Sequence, residues 1–132
     1  MKLEITTPRG QVYDQEVDMV TLPGREGEMG ILPNHVPLVT LLGEGEIIAR
    51  RGPNEERLLV TGGCAEITGD RVAILTVFAT NESAIDEVKA EEARARAEAR
   101  LKEKLSPEEH TLVHASLAHS LAQLKVKRRP HH

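Results

Sequence analysis

The first part of the chain consists of short apolar runs separated by turn residues. Gly, Pro, Asn and Asp recur about every 8 to 12 residues, where the backbone needs a fixed bend or a positive φ. In "ERLLVTGGCAEITGDRVAILTVF", Leu59, Thr61, Ala65 and Ile67 alternate with polar or small residues before a "TGD" hairpin turn. This pattern predicts an antiparallel β-sandwich over residues 1–81.

A double glycine interrupts one of these predicted strands. Gly62 and Gly63 remove two Cβ atoms, which indicates a bulge or a close approach by another backbone. A phosphate-binding loop is the weaker alternative, because no helix and lysine follow. The single cysteine, Cys64, excludes an internal disulfide, and its apolar neighbours predict a buried small side chain.

The hydrophobic period changes at Asn81, which is a candidate helix cap. "NESAIDEVKAEEARARAEARLKEKL" contains no Gly or Pro and predicts a helix with an alanine-rich apolar side. "SPEE" then predicts a second helix, with Ser106 as the cap, Pro107 at the first position and Glu109 completing a capping box. The sequence therefore predicts an antiparallel two-helix hairpin over residues 82–132.

Val113, Leu117, Leu121 and Leu124 form the predicted apolar side of the second helix. Because the apolar positions of the first helix are mostly alanines, which bury little area, we expect the hairpin to be weakly stabilised and able to detach.

The stretch "GILPNHVPL" at residues 30–38 breaks an apolar run with Pro33 and Pro37. A proline cannot donate a ladder hydrogen bond, so we expect a fixed bend that turns Asn34 and His35 outward. This predicts a rigid corner of the sandwich.

Composition narrows the function classes. The 132 residues include one Tyr, one Phe and no Trp, which argues against recognition of single-stranded nucleic acid by base stacking. The net charge of −4 divides into −5 over residues 1–81 and +1 over residues 82–132, and neither part has the cationic face that duplex DNA requires. No apolar run approaches the roughly 20 residues that span a bilayer, and no leader opens the chain, so we expect cytosolic folding without membrane insertion.

Three histidines of the second helix are the candidates for site chemistry. His110 and His114 stand four residues apart and His119 follows, but a metal site needs a further placed ligand, so solvated side chains are favoured. "HASLAHS" contains Ser and His without the acid and oxyanion hole that a hydrolase needs. His131 and His132 read as a tail. We expect no catalytic residue and no metal ligand.

The cationic cluster "KVKRRP" near the end of the chain has two interpretations. It can stabilise the negative end of the helix dipole, or it can bind an acidic partner surface.

The ordered stretch "LPGREGEMGILPNHVPLVTLLGEGEI", then "VTGGCAEI" and "IDEVKAEEARARAEARL", closely resembles the epsilon subunit of bacterial F-type ATP synthase. The resemblance covers essentially the whole chain. It implies a β-sandwich with a C-terminal helical hairpin, acting as a non-catalytic part of the central rotor stalk against the gamma subunit and the c ring. It also implies a peripheral location on the cytoplasmic face of the bacterial membrane.

The resemblance assigns roles to individual positions. Glu28 matches a loop position that contacts the c ring, and His35 and Thr40 match positions against gamma. The alternative role is turn formation for Glu28 and local hydrogen bonding for His35. The hairpin would extend toward the alpha and beta subunits and restrain ATP hydrolysis. In that extended state an acidic partner surface is expected to be contacted by Lys125, Lys127, Arg128 and Arg129.

Some members of the family bind ATP through an I-D-x-x-R-A motif, with arginines on the second helix. Here the motif holds Asp86, Lys89 and Ala90, so lysine replaces arginine, and His119 and Gln123 fall where the second-helix arginines would be. The loss of bidentate donors weakens phosphate recognition, so ATP is expected at most as a weak regulatory ligand. An ATP-binding module whose hairpin responds to nucleotide is the alternative function, and an independent small enzyme is the third.

Overall fold

A computed structural model of the protein describes residues 1–128, which fall into two compact units. The first is Met1–Asn81 and the second begins at Glu82. The strands of the first unit are β1 (Lys2–Thr7), β2 (Gly10–Glu16), β3 (Met19–Gly24), β4 (Gly27–Ile31), β5 (Leu38–Arg51), β6 (Asn54–Ile67), β7 (Arg71–Leu75) and β8 (Ala79–Asn81). The second unit contains a 3₁₀ turn (Glu82–Ala84) and the helices α1 (Glu87–Leu101) and α2 (Pro107–Arg128).

The strands pair in the order β2-β1-β7-β6-β5-β3-β4, with β8 added to β6. The predicted β-sandwich is confirmed, and its strand pairings are antiparallel with one exception: β1 and β7 run parallel, with Lys2 opposite Arg71 and Thr6 opposite Leu75. These strands are far apart in sequence and are not joined by a hairpin, so no turn dictates their relative direction. The sandwich contains a mixed sheet.

The two long strands β5 and β6 take part in both layers of the sandwich. Their register is the same along the whole ladder, in which only the pair Gly43 and Gly62 is missing, between Leu42↔Gly63 and Glu44↔Thr61. On the Leu42 side of this gap β6 pairs with β7, which leads to β1 and β2. On the Glu44 side β5 pairs with β3, which leads to β4 and also reaches Leu42, and β6 pairs with β8. The inward-facing side chains of both layers form one core, whose largest fully buried members are Leu3, Ile5, Leu22, Ile31, Leu42, Ile47, Ile67 and Ile74.

The double glycine marks a close backbone approach, as the sequence predicts. Gly62 and Gly63 have φ of 87° and 122°. A Cβ on Gly63 would lie 2.2 Å from the Leu75 carbonyl oxygen of β7. The Thr76 hydroxyl donates to the Gly62 carbonyl at 2.8 Å. Cys64, in contrast, is half-buried. The prediction of a buried thiol is wrong, because the alternation that buries Ala65 turns Cys64 to the opposite face.

Glu56 links three strands through its carboxylate. Tyr13 of β2 donates its hydroxyl to Oε1 at 3.1 Å, and the Asn81 amide of β8 lies 3.4 Å from Oε2. Arg51 of β5 forms an ion pair with the same carboxylate at 3.8 Å. Burial, together with the smaller effect of the hydrogen bond to Glu56, raises the pKa of Tyr13 to about 12.

The first helix begins later than the sequence predicts. Asn81 is the last residue of β8, opposite Leu58 of β6, so the prediction that Asn81 caps the helix is wrong. Asp86 is the cap, and its Oδ1 accepts from the N–H groups of Val88 at 2.9 Å and Lys89 at 3.2 Å. Pairing in the sheet takes Asn81 away from the helix, and Asp86 is the next side chain that satisfies the free N–H groups.

The second helix begins with the predicted capping box. The Glu109 N–H donates to the Ser106 hydroxyl at 3.2 Å, and the Ser106 N–H donates to the Glu109 carboxylate at 3.3 Å. These bonds lower the pKa of Glu109. Arg100 of α1 approaches Glu109 of α2 at 3.4 Å.

The helices form an antiparallel pair, since residues near the start of α1 and the end of α2 line one depression. Leu124 is buried, but Leu121 is 47% exposed, so the predicted leucine face is wrong at that position. His119, Ser120, Ala122 and Val126 are buried instead. Periodicity alone did not identify the buried polar residues among them.

Candidate partner-binding surface

The loop between β4 and β5 holds the proline-flanked corner. Asn34 adopts φ of 65°, a left-handed conformation that asparagine tolerates better than most residues. Its N–H donates to the Gly69 carbonyl at 2.6 Å, which ties the corner to the turn between β6 and β7. Asn34 is exposed and His35 is half-buried. The fixed bend predicted from Pro33 and Pro37 is therefore present, with a specific backbone anchor.

His35 uses one ring nitrogen within the loop. Nδ1 lies 2.7 Å from the Val36 carbonyl oxygen, and because a carbonyl only accepts, Nδ1 carries the hydrogen of this bond. Nε2 remains the position through which the ring can contact another molecule. Local hydrogen bonding of His35, one of the two readings from the sequence, is thus observed.

The structure brings Glu28 and Thr40 together. Glu28 is exposed on β4 and Thr40 is half-buried on β5, and both line a depression between the β3–β4 turn and the first residues of β5. The described residues that line it are Gly24, Arg25, Glu26, Gly27, Glu28, Met29, Val39, Thr40 and Leu41. His35 lies in the preceding loop and is not part of this lining.

Large apolar side chains surround this corner and face outward. The exposed fraction is 75% for Val36, 72% for Val39 and 53% for Leu41, and Leu32 is also exposed. Sequence reasoning missed Val39 and Leu41, because an apolar run in a strand reads as core. The available signal was the alternation with Leu42, whose burial turns Leu41 to the opposite face. An apolar surface of this kind is characteristic of a site where another protein binds.

The candidate ATP-binding residues of the hairpin lie at the start of α1, where Asp86 and Ala90 have structural roles. Asp86 and Lys89 are exposed and Ala90 is buried in α1. The Asp86 oxygen is used by the cap described above. The negative Asp86 carboxylate already occupies the positive end of the helix dipole, and it would repel a phosphate bound at this helix start.

The second-helix positions do not supply cations at the places of the family's arginines. Burial lowers the pKa of His119 to about 4, so its ring is neutral at physiological pH. Gln123 carries no charge. Lys125 and Lys127 are exposed near the end of α2, and Lys125 lines a depression with Arg94, which forms ion pairs with Glu91 and Glu98.

The side chain of Arg128 is not described, and Arg129, His131 and His132 lie outside the described residues. Nothing in the structure bears on those predictions.

His110 and His114 are exposed on α2, with ring centroids 6.2 Å apart. Across residues 1–128, no group of three or more His, Cys, Asp or Glu side chains is arranged to hold a metal ion. None of the described helices combines the length and the apolar character needed to cross a bilayer.

Comparison with family models defines the class of protein to which this combination of units belongs. Residues 1–82 match the β-sandwich domain of the ATP synthase delta/epsilon chain, and residues 83–128 match its long α-helix domain. The chain therefore belongs to the ATP synthase delta/epsilon class, and its relatives specify the epsilon chain family within it.

Curated relatives are similar over nearly their whole length. The ATP synthase epsilon chain of Dehalococcoides mccartyi strain BAV1 is 44% identical over 134 residues, covering 99% of this chain and 96% of the relative. That of Syntrophobacter fumaroxidans is 42% identical, covering 96% and 94%. Among solved structures, a chain of the Euglena gracilis mitochondrial ATP synthase, in an assembly of OSCP, F1 and c-ring, is 27% identical with a TM-score of 0.63, covering 92% of this chain and 76% of that one. A chain from the Tetrahymena thermophila central stalk and c-ring shares the fold, with a TM-score of 0.58.

Proposed function

We propose that this protein is a non-catalytic rotor subunit that couples the gamma subunit to the c ring in a proton-translocating ATP synthase. It would act from the periphery of the complex on the cytoplasmic face of the bacterial membrane. The observation that carries the proposal is the outward-facing apolar surface at the proline-flanked corner, on which Glu28 and Thr40 line one depression. Family membership supports the assembly in which this surface would be used.

The sandwich has the rigidity that a coupling element requires. Its two layers share the long strands β5 and β6, so a load applied to one layer is transmitted through continuous backbone to the other. The Asn34–Gly69 hydrogen bond fixes the corner itself. Following the family resemblance, we assign contact with gamma to His35 and Thr40 and contact with the c ring to Glu28.

The hairpin is the proposed regulatory element. In α1 only Ala90 and Ala97 are fully buried, and alanines contribute little apolar area per residue. An arm held by so little burial can exchange between packed and extended states. In the extended state the exposed Lys125 and Lys127, with Arg128 and Arg129, would bind an acidic surface of the alpha and beta subunits and restrain ATP hydrolysis.

The experiment that tests the main proposal is co-purification with gamma, followed by ATPase assays of the assembled complex. We expect both the full chain and residues 1–81 to bind gamma, since the proposed surface lies in the first unit. Hydrolysis should be faster in the complex that contains residues 1–81 alone. Failure of the full chain to bind gamma would overturn the proposed role.

The tail is tested separately by changing its four cations to glutamine, at Lys125, Lys127, Arg128 and Arg129. We expect weaker inhibition with unchanged gamma binding. The matched control replaces Lys102 and Lys104, two cations between the helices, and should retain inhibition. Equal inhibition by all three proteins would exclude the electrostatic contact.

We propose that ATP binds at most weakly and that no other cofactor is required. The Asp86 carboxylate already accepts two backbone N–H bonds, and the neutral His119 supplies no charge for phosphate. Titration calorimetry of the isolated chain with ATP should give no more than weak heats. Tight binding would favour the alternative, a module whose hairpin responds to nucleotide.

A further inference from the structure

The first residues of β5 form an edge of the sandwich on one side. Leu38 to Leu42 pair with Ile67 to Gly63 of β6. On the opposite side, pairing with β3 among the described residues reaches Leu42, opposite Gly24. Beyond that point the chain turns away into the β3–β4 turn, so the backbone from Leu38 to Leu41 continues past the end of its neighbour.

The direction of the backbone groups on this edge follows from one hydrogen bond. The Arg25 N–H donates to the Leu41 carbonyl at 3.0 Å, so the polar groups of Leu41 point away from β6. Alternation along a strand gives Val39 the same direction and gives Thr40 the opposite one. The N–H and carbonyl of Val39 and the N–H of Leu41 therefore face the open side.

The side chains on the same residues are apolar and exposed. Val39 and Leu41 are two of the most exposed large hydrophobic side chains in the first unit. Native proteins usually protect such an edge with charge, proline or a covering element. Pro37 ends the edge on one side, since it has no N–H to offer, but the residues from Leu38 to Leu41 include neither a charged side chain nor a proline.

The surroundings of the edge indicate the chemistry of its partner. Glu26 lines the adjoining depression, and Glu66 lies opposite Val39 on β6. Arg25 is the single cation among the described lining residues. A segment that fits would be extended, with apolar side chains at alternating positions and a basic residue beside them.

We propose that an extended segment of the gamma subunit pairs with this edge as an added strand, using the backbone groups of Val39 and Leu41. The inference rests on the proposed function and specifies how the partner binds. The available edge is four residues, or about 13 Å, so the added strand is short and makes two or three backbone bonds. It lies in line with β3, beside the β3–β4 turn.

Hydrogen exchange at single amides tests this pairing. The full chain, alone and in complex with gamma, is placed in D₂O, the exchange is quenched, and the amides are measured by NMR after dissociation. We expect the amides of Val39 and Leu41 to exchange at least about tenfold more slowly in the complex, as one added hydrogen bond would give. The Thr40 amide already points toward β6 and should change much less.

The alternating pattern separates strand addition from simple covering of the surface. Equal slowing at Val39, Thr40 and Leu41, or no slowing in a stable complex, would overturn the inference while leaving the rotor proposal intact. Absence of a complex would instead defeat the rotor proposal itself. Slowing in the free chain at high concentration, with dimer formation, would assign the edge to a second copy and also overturn the inference.

A proline substitution provides a second test. Val39→Pro removes the outward N–H without removing a bond to β6, and proline is tolerated at such edge positions. We expect gamma binding about tenfold weaker, with a similar urea midpoint. The control Val39→Thr changes the side chain but keeps the N–H, and should retain the alternating exchange pattern with gamma. Unchanged affinity for a folded Val39→Pro variant would contradict the proposal.

Discussion

Gly63 shows how one residue sets the distance between two strands. Its φ of 122° is a conformation that side chains rarely adopt, and the Leu75 carbonyl occupies the space that a Cβ would need. Both the local conformation and the approach of β7 therefore require glycine. The same residue lies beside the point where β5 and β6 pass from one layer to the other.

Gly63→Ala should lower the free energy of unfolding by about 2 to 3 kcal/mol, since strain and a backbone clash act together. Urea unfolding followed by circular dichroism measures the loss. Gly69→Ala is the matched control, because open space surrounds its Cβ position and its backbone φ is not in the left-handed region. An equal effect of both substitutions would contradict the steric explanation.

The ionisation of Tyr13 can be measured without interference from other chromophores, and it reports on the interaction of Tyr13 with Glu56. It is the single tyrosine of a chain without tryptophan, so absorbance at 295 nm follows its ionisation alone. Glu56→Gln should lower the pKa of Tyr13 from about 12 toward, but not to, its ordinary value of 10, because burial is the larger cause. A pKa unchanged in the variant would show that Glu56 does not contribute.

The sign of the stability effect follows from the raised pKa of Tyr13. Its contribution is complete below pH 10, and falls as pH rises from 10 through 12, because the unfolded chain then loses the proton first. The Glu56→Gln variant should show a smaller loss over this range in urea unfolding.

At the scale of the elements, the caps of the two helices were recognisable to different degrees. The Ser106 box is entirely local, so the sequence predicts it and the structure contains it. The cap of α1 is Asp86 rather than Asn81, because Asn81 pairs with a strand 23 residues earlier in the chain, at Leu58. Local signals could not rank the two candidates.

Asp86→Ala should cost about 1 kcal/mol of hairpin stability, whereas Asp86→Asn should keep most of the cap. Helicity at 222 nm through urea unfolding gives the comparison. Because asparagine lacks the charge but can accept the same N–H bonds, the pair separates capping from any charge-dependent role. Equal losses in the two variants would show that capping is not the main contribution.

His119 makes the second helix sensitive to acid. Its pKa is lowered by burial, so the ring contributes stability above its ordinary pKa near 6.5, and this is lost as pH falls toward about 4. The urea midpoint of the hairpin should therefore fall over this range, and His119→Gln should flatten the profile. His110→Gln, at an exposed position of the same helix, should retain the wild-type slope. If the urea midpoint of the His119→Gln variant depends on pH as in the wild type, His119 is not the cause of the acid sensitivity.

At the scale of the whole molecule, the two units differ in what holds them together. The buried hydrophobic cluster that joins the layers consists of residues of the first unit, from Leu3 to Ile74. The hairpin relies on a few buried side chains and on caps. The part of the molecule proposed to transmit rotation is thus the more robust one, and the part proposed to regulate is the more easily opened.

Native-state hydrogen exchange should resolve this difference. Amides of α1 should open at a lower free energy than amides of β5 and β6 in the sandwich core, and low urea should accelerate the former first. The measurement is made on the full chain. A single opening energy shared by helices and strands would contradict independent stability of the units.

Part of the fold was determined by the sequence itself. Several features depend on neighbours along the chain: the alternation in "LLVTGGCAEI", the double glycine that indicates a close backbone approach, the rigid proline corner and the Ser106 capping box. Such features follow from sterics and hydrogen bonds within a few residues. Glu28 and Thr40 were selected as surface candidates from the family resemblance, which did not indicate the depression that they share.

Only the tertiary structure decided which surfaces those elements present. The parallel pairing of β1 with β7, the recruitment of Asn81 into β8, and the outward orientation of Cys64, Val39 and Leu41 depend on partners distant in sequence. Alternation with a period of two assigns the side chains of a strand to two faces, but it does not determine which face is buried. Strand registry between distant segments makes that choice, and it is this choice that leaves an apolar edge available for a partner.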